Sequence, residues 1–199
     1  MHPYSISSSE REHITCAFVS VAILVTWILT RFLVSKHIVL PWWVESPSVA
    51  TVFGLLYCLF DKHAWKCRVL HRIGIISTPN VNGVYAGYLK SSVDGCEKKQ
   101  DATLSICQSW TSMSISLATD RSTSSSLTAS IIVETDRCTS LYYEYLNTPR
   151  PIANDTMHVH RGSAQLTTKL AEGTLMLEGQ YYTGRDRQSY GLMKFSRQE

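Results

Sequence analysis

The chain has 199 residues, 18% of them charged, and a formal net charge of +3. That balance excludes a protein built to grip duplex DNA or RNA, which would show dense clusters of Lys and Arg. It leaves room for a long apolar region and one further domain of about 125 residues, an ordinary domain size.

Residues 1–13 are polar and Ser-rich and read as a short frayed lead-in. From Ile14 to Thr30 no charge interrupts ITCAFVSVAILVTWILT, and with Arg31 snorkelling outward Phe32 to Val34 extend the run. A spanning helix needs about 20 mostly apolar residues. A second run that began at Ile38 would carry Glu45 into lipid, at a cost of a few kcal/mol. Ser46 as N-cap with Pro47 in the first turn is the better start. The helix then continues to Trp65, roughly 28 Å at 1.5 Å per residue. Trp42, Trp43 and Trp65 fall where interfacial aromatic belts belong. The expectation is two crossings, a transmembrane hairpin over 14–66.

Lys62, Lys66, Arg68 and Arg72 follow the second run and Arg11 precedes the first, while only Arg31 and Lys36 lie between. Positive-inside bias therefore places both termini and everything downstream in the cytoplasm, in a multi-pass membrane protein. A cleaved signal peptide is the competing reading of the first run. Glu10 and Glu12 beside Arg11, and the immediate second crossing, weigh against it. Residues 67–80 form a linker. The basic stretch DKHAWKCRVLHR (61–72) either continues the helix along the headgroups or is a plain stop-transfer flank.

After Asn80 the period changes from helical to alternating. Leu104, Ile106, Gln108 and Trp110 share one parity, as do Met113, Ile115, Leu117 and Thr119. Leu127, Ala129, Ile131 and Val133 repeat the pattern, as do Ala164 to Leu170 and Leu175 to Tyr181. Turns are read at Glu134-Thr135-Asp136-Arg137, Ala171-Glu172-Gly173 and Gly184-Arg185-Asp186-Arg187. The expected strands lie near 83–90, 102–109, 111–119, 126–134, 138–146, 160–170, 173–182 and 189–196. Eight successive antiparallel strands can close into a barrel whose interior holds side chains or one small ligand. The fold class is thus an α-hairpin plus an eight-stranded antiparallel β-barrel over 81–199, with a two-sheet sandwich as the competing arrangement.

Catalytic chemistry is not written here. There is no Gly-rich phosphate loop, nucleophile elbow or carboxylate pair, so no enzyme is expected. Cys16 and Cys58 lie in the apolar runs and Cys67 beside one, leaving Cys96, Cys107 and Cys138 without CxxC spacing. That pattern suits a reducing compartment rather than a disulfide frame or zinc site. His158-Val159-His160 offers only two imidazoles, so neither metal nor cofactor is expected.

What stands out is polar and aromatic residues on the inward parity near strand ends. Trp110, Thr119, His160, Tyr181 and Thr183 belong to such rows, and Arg185 continues one past its strand. Aromatic faces, hydroxyl and imidazole donors and a guanidinium suit a nucleotide-sized anion. An ordinary half-buried rim explains the same pattern. In LYYEYL either Tyr142 faces in or Tyr143 and Tyr145 do, the latter pair being preferred. Strict alternation puts Arg161 outside unless Gly162 marks a bulge that turns it inward.

NVNGVYAGY, ICQSW, DRSTSSS, YYEYLNTP, HRGSAQL and LEGQYYTGRDRQSYG follow the two apolar runs in that order. This succession resembles the two-transmembrane, β-strand-rich effectors of bacterial CBASS antiphage systems, the CD-NTase-associated protein fifteen family. Tyr85 stands where a GxWxG-like first strand would have tryptophan. The resemblance implies a cytoplasmic barrel that senses a cyclic dinucleotide from a partner cyclic-nucleotide synthase. It further implies self-association, clustering of the helices in the lipid bilayer, membrane disruption and abortive-infection cell death. The matching segments supply Tyr145, His160, Arg161, Tyr181, Thr183 and Arg185 as ligand candidates, to which alternation adds Trp110, Thr119 and Tyr143. The alternative is a membrane-tethered, non-lytic barrel for an apolar or other small metabolite.

Overall fold

The structure, a computed structural model, describes residues 1–37, 42–133, 139–153, 157–171, 174–185 and 187–198, with backbone only for 42–47, Ile152, Leu170 and Ala171. The turn at 134–137, Cys138, Glu172, Gly173 and Asp186 lie outside these residues, as do the side chains of Trp42, Trp43, Glu45, Ser46 and Pro47. The chain divides into two compact units, Ser8–Ser77 and a second made of Met1–Ser7 with Thr78–Glu199.

In the first unit α1 (Glu10–Ser35) packs beside α2 (Trp42–Lys62). At 26 residues α1 is long and apolar enough to cross a membrane by length and composition. Val21, Leu24, Trp27, Ile28 and Phe32 point outward, while Ile14, Ala22 and Thr26 are buried. Phe18 meets Phe60 edge-on with ring centroids 5.1 Å apart, and Arg31 lies over the Trp27 ring. α2 begins at Trp42 rather than after Ser46, so Pro47 lies inside it and forgoes one backbone bond. It ends at Lys62; Trp65 belongs to a separate 3₁₀ turn, Ala64–Lys66, followed by a short α3 (Arg68–Arg72). The Glu10 carboxylate accepts from the Ser77 amide (2.5 Å) and hydroxyl (2.7 Å), joining the two ends of this unit.

The second unit is a closed barrel. Its eight long strands are β3 (Gly83–Ser91), β4 (Gln100–Gln108), β5 (Ser112–Ala118), β6 (Ser122–Val133), β7 (Thr139–Pro149), β8 (His160–Ala171), β9 (Thr174–Thr183) and β10 (Tyr190–Arg197). Each pairs antiparallel with its sequence neighbour, and β10 pairs β3 (Met193 opposite Leu89) to close the circle. Closure decides for the barrel over the sandwich.

Residues 1–7 do not fray. β1 (His2–Pro3) pairs antiparallel with β5 and β2 (Ser5–Ile6) pairs parallel with β6, filling a gap between those strands. Tyr4 is 3% exposed within the barrel core. Its polar sequence neighbours hid this, because the ladder is made by backbone groups that carry no sequence signal.

Alternation sets the interior. Tyr85, Leu104, Ile106, Met113, Ile115, Ile131, Leu141, Leu166, Leu177 and Phe195 fill it. A register shift in β6 between Ser126 and Thr128 exchanges the faces of that strand. Below it Ala129 and Ile131 are buried; above it Ser122 and Ser124 are, and Leu127 is exposed instead of sharing their row.

Gln108 does face inward, but at the end where the chain enters and leaves, and Trp110 beside it is buried without being part of the barrel's core. Gln108 Oε1 accepts from the Val81 amide, and Nε2 donates to the Pro79 carbonyl and the Tyr4 hydroxyl. Tyr4 in turn donates to the Trp110 carbonyl at 2.9 Å. The row that looked like a ligand wall is the sealed floor.

Candidate ligand-binding site

The opposite end is open. The ends of β3, β5, β7 and β9 and the starts of their partners surround a cup with a cavity volume of about 120 Å³. Counting space shared with solvent, the concavity reaches about 830 Å³. Small-molecule sites span about 300–1,000 Å³, so the cup alone is smaller than such a site and only its open mouth reaches that range.

Leu89, Leu117 and Met193 make the apolar base of the cup. Tyr143, Tyr145 and Tyr181 rise from it. Tyr143 and Tyr145 face inward with ring centroids 6.1 Å apart, and Tyr142 faces outward, where its hydroxyl accepts from Gln165. Two glycines make room for these rings. A Cβ on Gly162 would sit 2.5 Å from the Tyr145 ring Cζ, and one on Gly191 2.5 Å from Tyr181 Cε1. Each glycine is the direct cross-strand partner of its tyrosine.

Burial, more than the neighbouring phenol of Tyr145, lifts the Tyr143 hydroxyl well above its ordinary pKa of 10. Burial does the same for Tyr145, with Tyr181 adding to it and Arg187 partly offsetting it. Tyr181 is raised by burial too, while the Ser91 side chain and the Arg187 charge pull the other way. All three therefore remain neutral donors near neutral pH.

Thr119 and Thr183 close equivalent turns at the rim. Thr119 Oγ1 accepts from the Ser122 amide at 3.0 Å, and Thr183 Oγ1 from the Ser189 amide at 2.7 Å. His160 is 7% exposed, with Nδ1 2.8 Å from the His158 carbonyl. A carbonyl only accepts, so in the neutral ring Nδ1 carries the proton and Nε2 is left as an acceptor.

The structure thus brings together Thr119, Tyr143, Tyr145, His160, Tyr181 and Thr183. It leaves out three of the residues named from sequence. Trp110 is fully buried at the floor end. Arg161 is exposed on the outer wall, because β8 pairs with β7 without a shift at Gly162 and no bulge turns it inward. Arg185 is exposed and does not line the cup.

Reasoning from sequence missed two cations of the cup, Arg187 and Arg121. Backbone bonds from Arg187 and Gln188 to the Gly184 carbonyl wind the β9–β10 connection into a turn. That turn carries Arg185 outward and Arg187 over the mouth. Among the described residues Arg187 Nη1 is buried and makes no hydrogen bond. Arg121, Asp94, Ser122, Ser124 and Asn147 also line the cup. Arg187 prolongs the row of Tyr181, Thr183 and Arg185, and Arg121 to Ser124 lie in the Ser/Thr tract already noted; both signals were present.

An apolar helix joined to a closed barrel with a polar, arginine-bearing cup defines a membrane protein with a ligand-binding domain. The chain belongs to the Cap15 family: residues 76–197 match its cyclic dinucleotide receptor domain, and residues 12–66 its TM helices. It is similar to a CD-NTase-associated protein 15 of Yersinia aleksiciae, 30% identical over 170 residues that cover 78% of this chain and 76% of that protein. A protein of the same name from Staphylococcus schleiferi is 26% identical over 145 residues, covering 72% and 75%.

Proposed function

We propose that the cup binds a cyclic dinucleotide made by a partner synthase and that the bound state drives copies of the chain together in the inner membrane. Both helices cross the bilayer, with the termini and barrel in the cytoplasm. Their crowding on assembly breaches the membrane and kills the infected host cell.

The observation that carries the reading is the buried, unbonded Nη1 of Arg187, whose charge is felt by both Tyr145 and Tyr181. Leaving a guanidinium N–H unmet and desolvated is costly, and a phosphate oxygen satisfies it with a charge-assisted bond. Tyrosine faces suit base stacking, and the neutral phenols donate without repelling phosphate. Family membership supports the ligand class. An apolar metabolite would leave the buried Arg187 Nη1 unmet, which disfavours that alternative.

The test uses the full chain in dye-loaded anionic phospholipid vesicles, with cyclic di-GMP, cyclic di-AMP and cyclic GMP–AMP as probes. One of them is expected to bind, shift the protein to larger assemblies and release dye. Arg187→Ala is expected to lose all three responses while still inserting. Binding without assembly or leakage would leave a non-lytic receptor and overturn the effector reading.

A further inference from the structure

β5 and β6 meet directly at only three residue pairs, Ser116–Ser125, Leu117–Ser124 and Ala118–Thr123. β6 and β7, by comparison, stay paired from Ser122–Pro149 to Val133–Thr139. The three pairs lie at the mouth, and the cup residues Leu117, Thr119, Ser122 and Ser124 lie on or beside them. Below them the two strands part at the β6 bulge.

The gap is bridged in two steps. Ser126 Oγ accepts from the Ile115 amide (2.9 Å) and lies 2.7 Å from His2 Nε2. Below it His2 and Pro3 pair with Met113 and Ser112, and Ser5 and Ile6 with Ser130 and Ile131. The Ser7 amide then bonds the Ile131 carbonyl, and Ser7 Oγ accepts from the Val133 amide. These first seven residues precede both family-matched segments, 12–66 and 76–197.

The same segment is the lead-in to α1. Ile6 and Glu10 are four residues apart and so at most about 14 Å. One short strap therefore sets the spacing of the seam whose upper end is a wall of the cup, and is tied covalently to the helix.

We propose that Met1–Ser7 is a latch seated in the β5–β6 seam, coupling occupancy of the cup to the start of α1. This rests on the ligand reading above. A seated latch holds β5 and β6 at the separation that presents Thr119, Ser122 and Ser124 to the ligand. An unseated latch leaves two unpaired strand edges free to splay, and the wall moves with them. Ligand thus binds the seated state more tightly and shifts the strap toward it, and by linkage anything that seats the strap tightens ligand binding.

The experiment uses the full chain in lipid nanodiscs with the same three cyclic dinucleotides. Hydrogen exchange is read at the Ser7 and Val133 amides for the strap and at the Ser122 and Ser189 amides for the mouth. A ligand that protects the mouth is expected to slow the strap amides about fivefold or more, the lower end of ordinary coupling. In a Ser5→Cys/Ser130→Cys variant the disulfide is expected to tighten binding by a similar factor, reversed by reductant. The reduced form, binding like the parent, shows that this variant folds. Mouth protection with unchanged strap exchange and an indifferent lock would overturn the latch and leave the ligand reading intact. No mouth protection by any of the three probes would overturn both.

Discussion

Tyr145 on β7 lies directly across from Gly162 on β8, its ring occupying the space where any other residue would carry a Cβ. The same Cβ would lie 2.5 Å from the Tyr182 carbonyl oxygen. The glycine therefore aims an aromatic face into the cup rather than bending the strand.

Gly162→Ala is expected to push Tyr145 aside and destabilise the barrel by about 1–3 kcal/mol, the usual cost of overpacking. Dinucleotide affinity should fall with it. Tyr145→Ala in the same chain removes the clash with the ring and leaves only that with the Tyr182 carbonyl, so the double variant should melt at a higher temperature than the sum of the single losses predicts. Simple additivity in thermal unfolding would show that the ring is not held against this glycine.

Arg187 and its neighbours separate by position. Arg187→Ala should weaken dinucleotide binding tenfold or more, since a charge-assisted bond contributes about 1.5–3 kcal/mol. Arg187→Lys should recover only part, because an ammonium lacks the planar fork. Arg161→Ala and Arg185→Ala, both exposed and away from the cup, should bind within twofold of the parent by calorimetry.

The floor predicts a stability loss with no new contact at the mouth. Gln108 is 4% exposed, and its side chain bonds Val81, Pro79 and Tyr4. Gln108→Leu strands those partners and should cost about 1–3 kcal/mol of barrel stability in denaturant unfolding. A neutral result would mean that water replaces the amide there.

Alkaline pH gives a signed test. Folding holds Tyr143 and Tyr145 neutral above their ordinary value of 10. In the unfolded chain they ionise from about pH 10 upward. Unfolding then releases protons, so their contribution is complete below pH 10 and is lost as pH rises beyond it. The slope is about 1.4 kcal/mol per pH unit for each tyrosine. Tyr143→Phe should flatten the fall in melting temperature between about pH 10 and 12; an unchanged slope would assign the loss elsewhere.

The eight long strands were legible from the chain alone because one face of each is packed and the other wet, which writes a period of two into the residues. The apolar length of α1 was equally plain. Inward parity also pointed to His160 and Tyr181 as interior, whereas in LYYEYL it left two choices, between which burial of Tyr143 and Tyr145 decides.

What alternation does not encode is which end of an inward row is open. Trp110 and Thr119 carry equivalent signals, yet one is sealed by Gln108 and Tyr4 and the other rims the cup. Only closure of the circle decides that. Backbone pairing of residues 2–6, the parity exchange in β6, and the turn that lifts Arg187 over the mouth instead of Arg185 were likewise settled by three-dimensional contacts. Main-chain hydrogen bonds and single-residue turns reposition side chains without altering the hydrophobic pattern, and that pattern is what a sequence displays.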